Sequence, residues 1–123
     1  MTKTLQIILI TCFLAYLGYR TFRYMTLENG IENAVAKGAI ILDVRTAVEY
    51  KVGHIKGSIN IPLGQIRERF TELDPTLSYI TTCSHGLRSV KAQRLLKERG
   101  FKHVYNGGAW MDLKPITNKN VGK

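Results

Sequence analysis

Tyr79-Ile80-Thr81-Thr82-Cys83-Ser84-His85-Gly86-Leu87-Arg88-Ser89 is a strand-like stretch that runs into a short loop and then into an amphipathic helix. The spacing predicts a strand over Leu77–Thr82 and a helix over Ser89–Arg99, with Val90, Leu95 and Leu96 toward a sheet, Lys91, Arg94, Lys97 and Glu98 toward water, and Gly100 as the stop. A cysteine between a strand end and a helix start is well placed to become a thiolate. A thiol is nucleophilic only when deprotonated, and its free pKa of about 8.5 falls beside a helix N-terminus, backbone N–H groups and a cation. Ser84 to Arg88 can curl so that successive amides point at the sulfur or at a bound anion, and Gly86 permits the tight curl. Arg88 closes the loop, where a planar guanidinium could take a dianion in two-point contact.

Upstream, Thr26–Lys37 carries Leu27, Ile31, Ala34 and Val35 at helical spacing before Gly38, with Asn29-Gly30 weakening its first turn. Ala39–Val44 is a continuous apolar run of strand length, as a strand covered on both faces would be. Thr46 with Glu49 three residues on reads as a capping box and predicts one or two helical turns over Ala47–Lys51. Ile59–Ile61 predicts a short strand ended by Pro62, and Ile66, Phe70 and Leu73 mark a helix ending near Asp74-Pro75. Downstream, His103–Tyr105 is a last short strand. Strands alternating with helices predict an α/β domain, a small parallel sheet flanked by helices on both faces, with its functional loops at the carboxyl ends of the strands.

Residues 1–25 stand apart from this pattern. Leu5–Leu17 is apolar after a short start containing Lys3, and reads as one N-terminal transmembrane or signal helix outside the fold. From Leu5 to Tyr19 a helix would be about 22 Å long against a hydrocarbon core of about 30 Å. Arg20 and Arg23 reaching the headgroups, and Tyr16, Tyr19, Phe22 and Tyr24 as an interfacial belt, make up the difference. No small-x-small cleavage site follows, so an uncleaved anchor is expected over a cleaved signal. The expectation is a chain membrane-anchored in the cell envelope, with the side of the membrane open: Arg20 and Arg23 against Lys3 favour the cytoplasm, and a signal-like start favours export. The domain is expected over residues 26–113, and residues 114–123, polar and aperiodic, as a disordered tail.

Formal net charge is +9, and +6 remains from Thr26 onward. The excess suits anionic partners, but no dense basic stripe interleaved with aromatics occurs, so nucleic-acid binding is not expected. Of the two cysteines, Cys12 lies in the apolar segment and Cys83 in the loop, which leaves no disulfide framework and makes Cys83 a functional candidate. A lone histidine such as His54 makes no metal site, and no Cys/His cluster occurs; no metal and no cofactor are expected.

Four ordered stretches resemble the rhodanese domain, the sulfurtransferase family that carries sulfur as a cysteine persulfide. They are Ile40-Ile41-Leu42-Asp43-Val44-Arg45-Thr46; Glu49-Tyr50 with Gly53-His54-Ile55-Lys56-Gly57-Ser58-Ile59-Asn60-Ile61-Pro62; the cysteine loop with Arg88-Ser89; and Val104-Tyr105-Asn106-Gly107-Gly108 with Trp110. The resemblance implies Cys83 and Arg88 as catalytic residues. Ser84, His85, Gly86, Leu87 and Arg88 would bind substrate, their amides holding the persulfide and Arg88 the donor's sulfonate. Asp43, Arg45 and Ser89 would order the site, Asp43 by pairing with Arg45 or with the loop around Arg88. Gly107-Gly108 and Trp110 would wall the pocket. The implied partners are a small anionic sulfur donor such as thiosulfate, a thiol or cyanide acceptor, and a protein sulfur acceptor as a further option. Two alternatives stay open: a catalytically weak rhodanese-like module that binds or delivers sulfur to a partner, and a Cys-based phosphatase. The phosphatase needs a loop one residue longer, and Ser89 stands where its arginine would be.

Overall fold

The computed structural model of the chain describes residues 2–121, without the side chains of residues 23–29, 120 and 121. The helices are α1 (Thr2–Ala36), α2 (Ala47–Val52), α3 (Ile66–Arg69), α4 (Leu87–Glu98) and α5 (Trp110–Val121). The strands are β1 (Ile40–Asp43), β2 (Ile59–Asn60), β3 (Tyr79–Cys83) and β4 (Val104–Ala109). The chain divides into two compact units, residues 1–30 and 31–123.

In the second unit the four strands form one parallel sheet in the order β2-β1-β3-β4. Side chains alternate across each strand, so the two faces collect different partners. Leu42, Tyr79, Cys83 and Val104 pack with Ile66 of α3 and with Ala92 and Leu96 of α4. On the other face Ile41 and Ile80 pack with Ile31 and Ala34 from the end of α1 and with Leu113 of α5. Leu42, Ile80 and Leu96 are wholly buried, each worth about 1.5–3 kcal/mol of transfer free energy before entropy is counted. The interior strands β1 and β3 are therefore the rigid floor on which the cysteine loop stands.

Four sequence expectations change here. The helix after the loop begins at Leu87, and its inward stripe is Ser89, Ala92 and Leu96. Val90, about 100° round the helix from Ser89, is 39% exposed and faces away from the sheet. The segment marked by Ile66, Phe70 and Leu73 is only one α-helical turn, α3, between two 3₁₀ turns at Leu63–Gln65 and Phe70–Glu72. The helix expected to begin at Thr26 with a first turn weakened by Asn29-Gly30 has no start there, those residues lying within α1 (Thr2–Ala36). The expected tail from Lys114 is instead the greater part of α5, with Leu113 and Thr117 buried and Trp110 and Ile116 packed on the same core. That apolar stripe at helical spacing straddles the boundary set at Leu113, which concealed it; residues 122–123 lie outside the described residues.

In the first unit, Thr2–Phe22 is a helix of 21 residues that is long and apolar enough to cross a membrane, with none of it buried. At 1.5 Å per residue it spans about 31 Å, with Lys3 and Arg20 near its two ends. The hydroxyl of Thr11 donates to the carbonyl of Ile7 at 2.7 Å, so this polar group is satisfied within the helix. The side chains of Arg23, Tyr24 and Leu27 lie outside the described residues.

Candidate active site

Cys83 is the last residue of β3 and is 1% exposed. The chain then turns at Gly86, whose φ of +100° is a left-handed conformation that costs a residue with a Cβ and is open to glycine. This turn points the Gly86 N–H back at Cys83 Sγ, 2.9 Å away. Burial pushes the thiol pKa up, but the Ser89 hydroxyl and the amides of Ser89, Gly86 and His85 act together in the other direction and leave it below its ordinary value. The sulfur also stands at the N-terminus of α4, where the helix dipole favours an anion. The arrangement can hold a thiolate, or the anion of a sulfur bonded to it, without a neighbouring cation in contact.

Arg88 is engaged elsewhere. Its Nη1 donates to Glu49 Oε1 at 2.7 Å and its Nη2 to Glu49 Oε2 at 3.0 Å and to Ser84 Oγ at 2.9 Å, while the Ser84 hydroxyl donates to Glu49 Oε2 at 2.8 Å. Glu49 also completes the capping box of α2: its N–H donates to Thr46 Oγ1 and its carboxylate accepts from the Thr46 N–H. Arg88 first, then Ser84, hold the Glu49 carboxyl far below the usual carboxylate range. The fork expected to take a dianion is thus occupied by a carboxylate of the same chain.

Asp43 pairs with Arg45, one of the two partners expected for it. Arg45 Nε bridges both carboxylate oxygens at 3.0 Å, Nη2 reaches Oδ2 at 2.7 Å, and the Arg45 N–H donates to Oδ1 at 3.0 Å. Nη2 also donates to the carbonyl of Gly53 at 2.7 Å, and the guanidinium lies 4.6 Å from the centre of the Trp110 ring. Asn60 Nδ2 donates to the carbonyls of both Asp43 and Arg45, so the end of β1 keeps no bare acceptor there.

Ser89 Oγ lies 2.9 Å from the Gly86 carbonyl and 2.6 Å from Asn106 Oδ1, and its one hydroxyl proton, shared among these acceptors and the Cys83 sulfur, ties the loop to β4. Asn106 Oδ1 also accepts from the Gly108 N–H at 3.1 Å, beside the irregularity in β3–β4 pairing between Thr81 and Cys83. A Cβ on Gly107 would lie 2.6 Å from Ile80 Cγ2 and 2.9 Å from the Thr81 carbonyl, so this glycine is required by close packing. Trp110 packs on the core with Ile41 and Ile80.

The loop thus brings together Cys83, Ser84, Gly86, Arg88 and Ser89, while the side chains of His85 and Leu87 are exposed, Leu87 by 79%. Sequence reasoning missed Glu49 as the partner of Arg88 and Ser84, and missed Asn106 as the partner of Ser89. Glu49 had already been assigned as a helix cap, and a capping carboxylate has a second oxygen to spare; that was the available signal.

The sequence model of the rhodanese-like domain matches residues 13–109. The chain is 44% identical over 66 residues to the Bacillus subtilis protein YrkF, covering 54% of this chain and only about a third, 36%, of YrkF. It is 35% identical over 74 residues to thiosulfate sulfurtransferase PspE of Escherichia coli, covering 58% of this chain and 71% of that protein. Among solved structures, a rhodanese with anions from E. coli superimposes with a TM-score of 0.57 at 35% identity, covering 61% of this chain and 91% of that one.

Proposed function

Since the chain belongs to the rhodanese-like family, we propose that it is a sulfurtransferase that carries sulfane sulfur as a persulfide on Cys83. The Cys83 thiolate attacks the outer sulfur of thiosulfate or a related donor; the donor's S–S bond breaks and sulfite leaves with its electron pair. Cyanide or a thiolate then attacks the terminal sulfur of the persulfide, takes it, and regenerates the Cys83 thiolate. The observation that carries this reading is the Gly86 N–H at 2.9 Å from a buried Cys83 sulfur whose pKa is lowered by surrounding donors. The same donors would stabilise the persulfide anion, by the logic of an oxyanion hole. The likeness to a thiosulfate sulfurtransferase supports a sulfur-transfer role, and thiosulfate itself is part of the proposal. A protein thiol or persulfide is an equally suitable acceptor class.

Within this reading Cys83 is the catalytic residue, and the amides of the loop Ser84–Arg88 bind the transferred sulfur. Arg88, Asp43, Arg45 and Ser89 hold the loop and strand ends in place. Phosphate hydrolysis fits less well, because the loop is one residue short of ringing a tetrahedral dianion and the Arg88 fork faces Glu49. Intact-mass spectrometry after thiosulfate tests the proposal: one sulfur, about 32 Da, should add at Cys83 through the activated thiolate and leave with cyanide. Loading of Cys83→Ser, or a wild type that loads neither from thiosulfate nor from a thiosulfonate, overturns it.

We further propose that Thr2–Phe22 anchors the protein in a membrane. The full chain should then stay with membranes through salt and carbonate washes. A shortened, freely soluble native protein would overturn the anchor.

A further inference from the structure

The Glu49 carboxylate receives five hydrogen bonds, from the Thr46 N–H and hydroxyl, the Ser84 hydroxyl and two nitrogens of Arg88. It is therefore a fixed part of the loop. Both partners of the ion pair are about a third exposed, at 35% for Glu49 and 33% for Arg88, so the pair stands at the solvent-facing rim of the loop. Arg88 is the cation of the loop itself, and its charge is already balanced. With the Arg88 charge largely balanced by Glu49, the backbone amides and the start of α4 supply most of the attraction for an anion at Cys83, and each further negative charge that a donor brings beside the thiolate is compensated less well.

We propose that Glu49 is a positioning residue that sets the donor's charge: by holding the Arg88 fork it tunes the site to singly charged sulfur donors, thiosulfonates and persulfides, over the dianion thiosulfate. This rests on the sulfur-transfer reading and names its substrate class. In the favoured reaction the Cys83 thiolate attacks the outer sulfur of a thiosulfonate anion; the S–S bond breaks, a sulfinate leaves with the electron pair, and the Cys83 persulfide anion forms with charge conserved.

Methanethiosulfonate anion and thiosulfate present the same sulfane sulfur with one and two charges, and serve as the probes. The full-length chain in detergent is assayed with each donor and cyanide as acceptor, and Cys83 loading is followed by mass. Glu49→Gln keeps the shape and removes the charge, so it should raise the ratio of kcat/KM for thiosulfate over methanethiosulfonate roughly tenfold, mostly through the KM for thiosulfate. Glu49→Ala should raise the ratio in the same direction, so the test does not depend on one variant folding. Glu49→Asp, which keeps the charge, should leave the ratio near that of the wild type. A ratio unchanged in both neutral variants, or a parallel fall with both donors, would mean that Glu49 only supports the loop and would overturn the inference while leaving the sulfur-transfer reading intact. A wild type that loads from neither donor would overturn that reading itself, and this inference with it.

Discussion

Arg45 and Arg88 each meet a carboxylate with more than one nitrogen, yet the Arg45–Asp43 pair is buried, at 4% and 1% exposure, while the Arg88–Glu49 pair is a third exposed. The first joins residues two apart at the end of β1, and its guanidinium also reaches Gly53 and Trp110. The second joins residues 39 apart, from α2 to the start of α4. α2 lies between them, tied at Gly53 by one arginine and at Glu49 by the other. A buried pair cannot lose one member without stranding a charge in a low dielectric, whereas water compensates much of such a loss at the surface. The difference separates stability from reactivity: the buried pair should govern whether the domain folds, and the rim pair what the loop does.

The largest effect should come from the buried pair. Asp43→Asn strands the Arg45 guanidinium and should cost about 3–5 kcal/mol, measured by thermal or denaturant unfolding of the full chain. A loss no greater than that of a rim variant would break the comparison.

Next, Arg88→Lys keeps the charge and loses the planar fork to Glu49 and Ser84. Sulfur transfer should fall on the order of ten- to a hundredfold, for a charge-assisted contact of about 1.5–3 kcal/mol, while stability changes by less than about 1 kcal/mol. Unchanged kinetics would mean that the fork does not hold the loop in its active shape.

Ser89→Ala sharpens what the held loop does for the sulfur. Removing a donor to the thiolate disfavours the charged form, so the Cys83 pKa should rise and the pH midpoint of its alkylation rate should move upward. A midpoint that stays in place would remove Ser89 from the account of thiolate stabilisation.

The smallest effect concerns acid. Glu49 has a folded pKa below its ordinary 4.5, so as pH falls the unfolded chain binds the proton first. Stability contributed by the rim pair is therefore full above about pH 4.5 and is lost progressively below it. Glu49→Gln lacks this contribution, so the stability gap between wild type and variant, less than about 1 kcal/mol for an exposed pair, should narrow on acidification. A gap that widens would reverse the sign of the coupling.

Much of this molecule was legible residue by residue. The apolar run of β1, the Thr46–Glu49 capping box, the β3–loop–α4 sequence and the turn at Gly86 are all local, written in neighbours a few positions apart. The spacing from Cys83 to Arg88 and the alternation of strands and helices are local too, and they sufficed to indicate a parallel α/β domain with the cysteine at a strand end. Local reading went wrong at Val90 and at α5, where which residues face inward depends on the surface each helix meets.

By itself the sequence determined the four strands, the capped helix α2, the helix after the cysteine loop, the candidate nucleophile and the length of its loop. Only the tertiary structure decided the partners. Glu49 meets Arg88 because the β1–β3 pairing sets the ends of those strands side by side, bringing α2 against the cysteine loop. Ser89 meets Asn106 because the β3–β4 register sets Asn106 beside Thr81, whose hydroxyl also donates to the Ser89 carbonyl. A capping carboxylate looks the same in sequence whether its second oxygen faces water or an arginine 39 residues on, because hydrogen-bond partners are chosen by proximity in space, and proximity across a sheet is set by strand order and register.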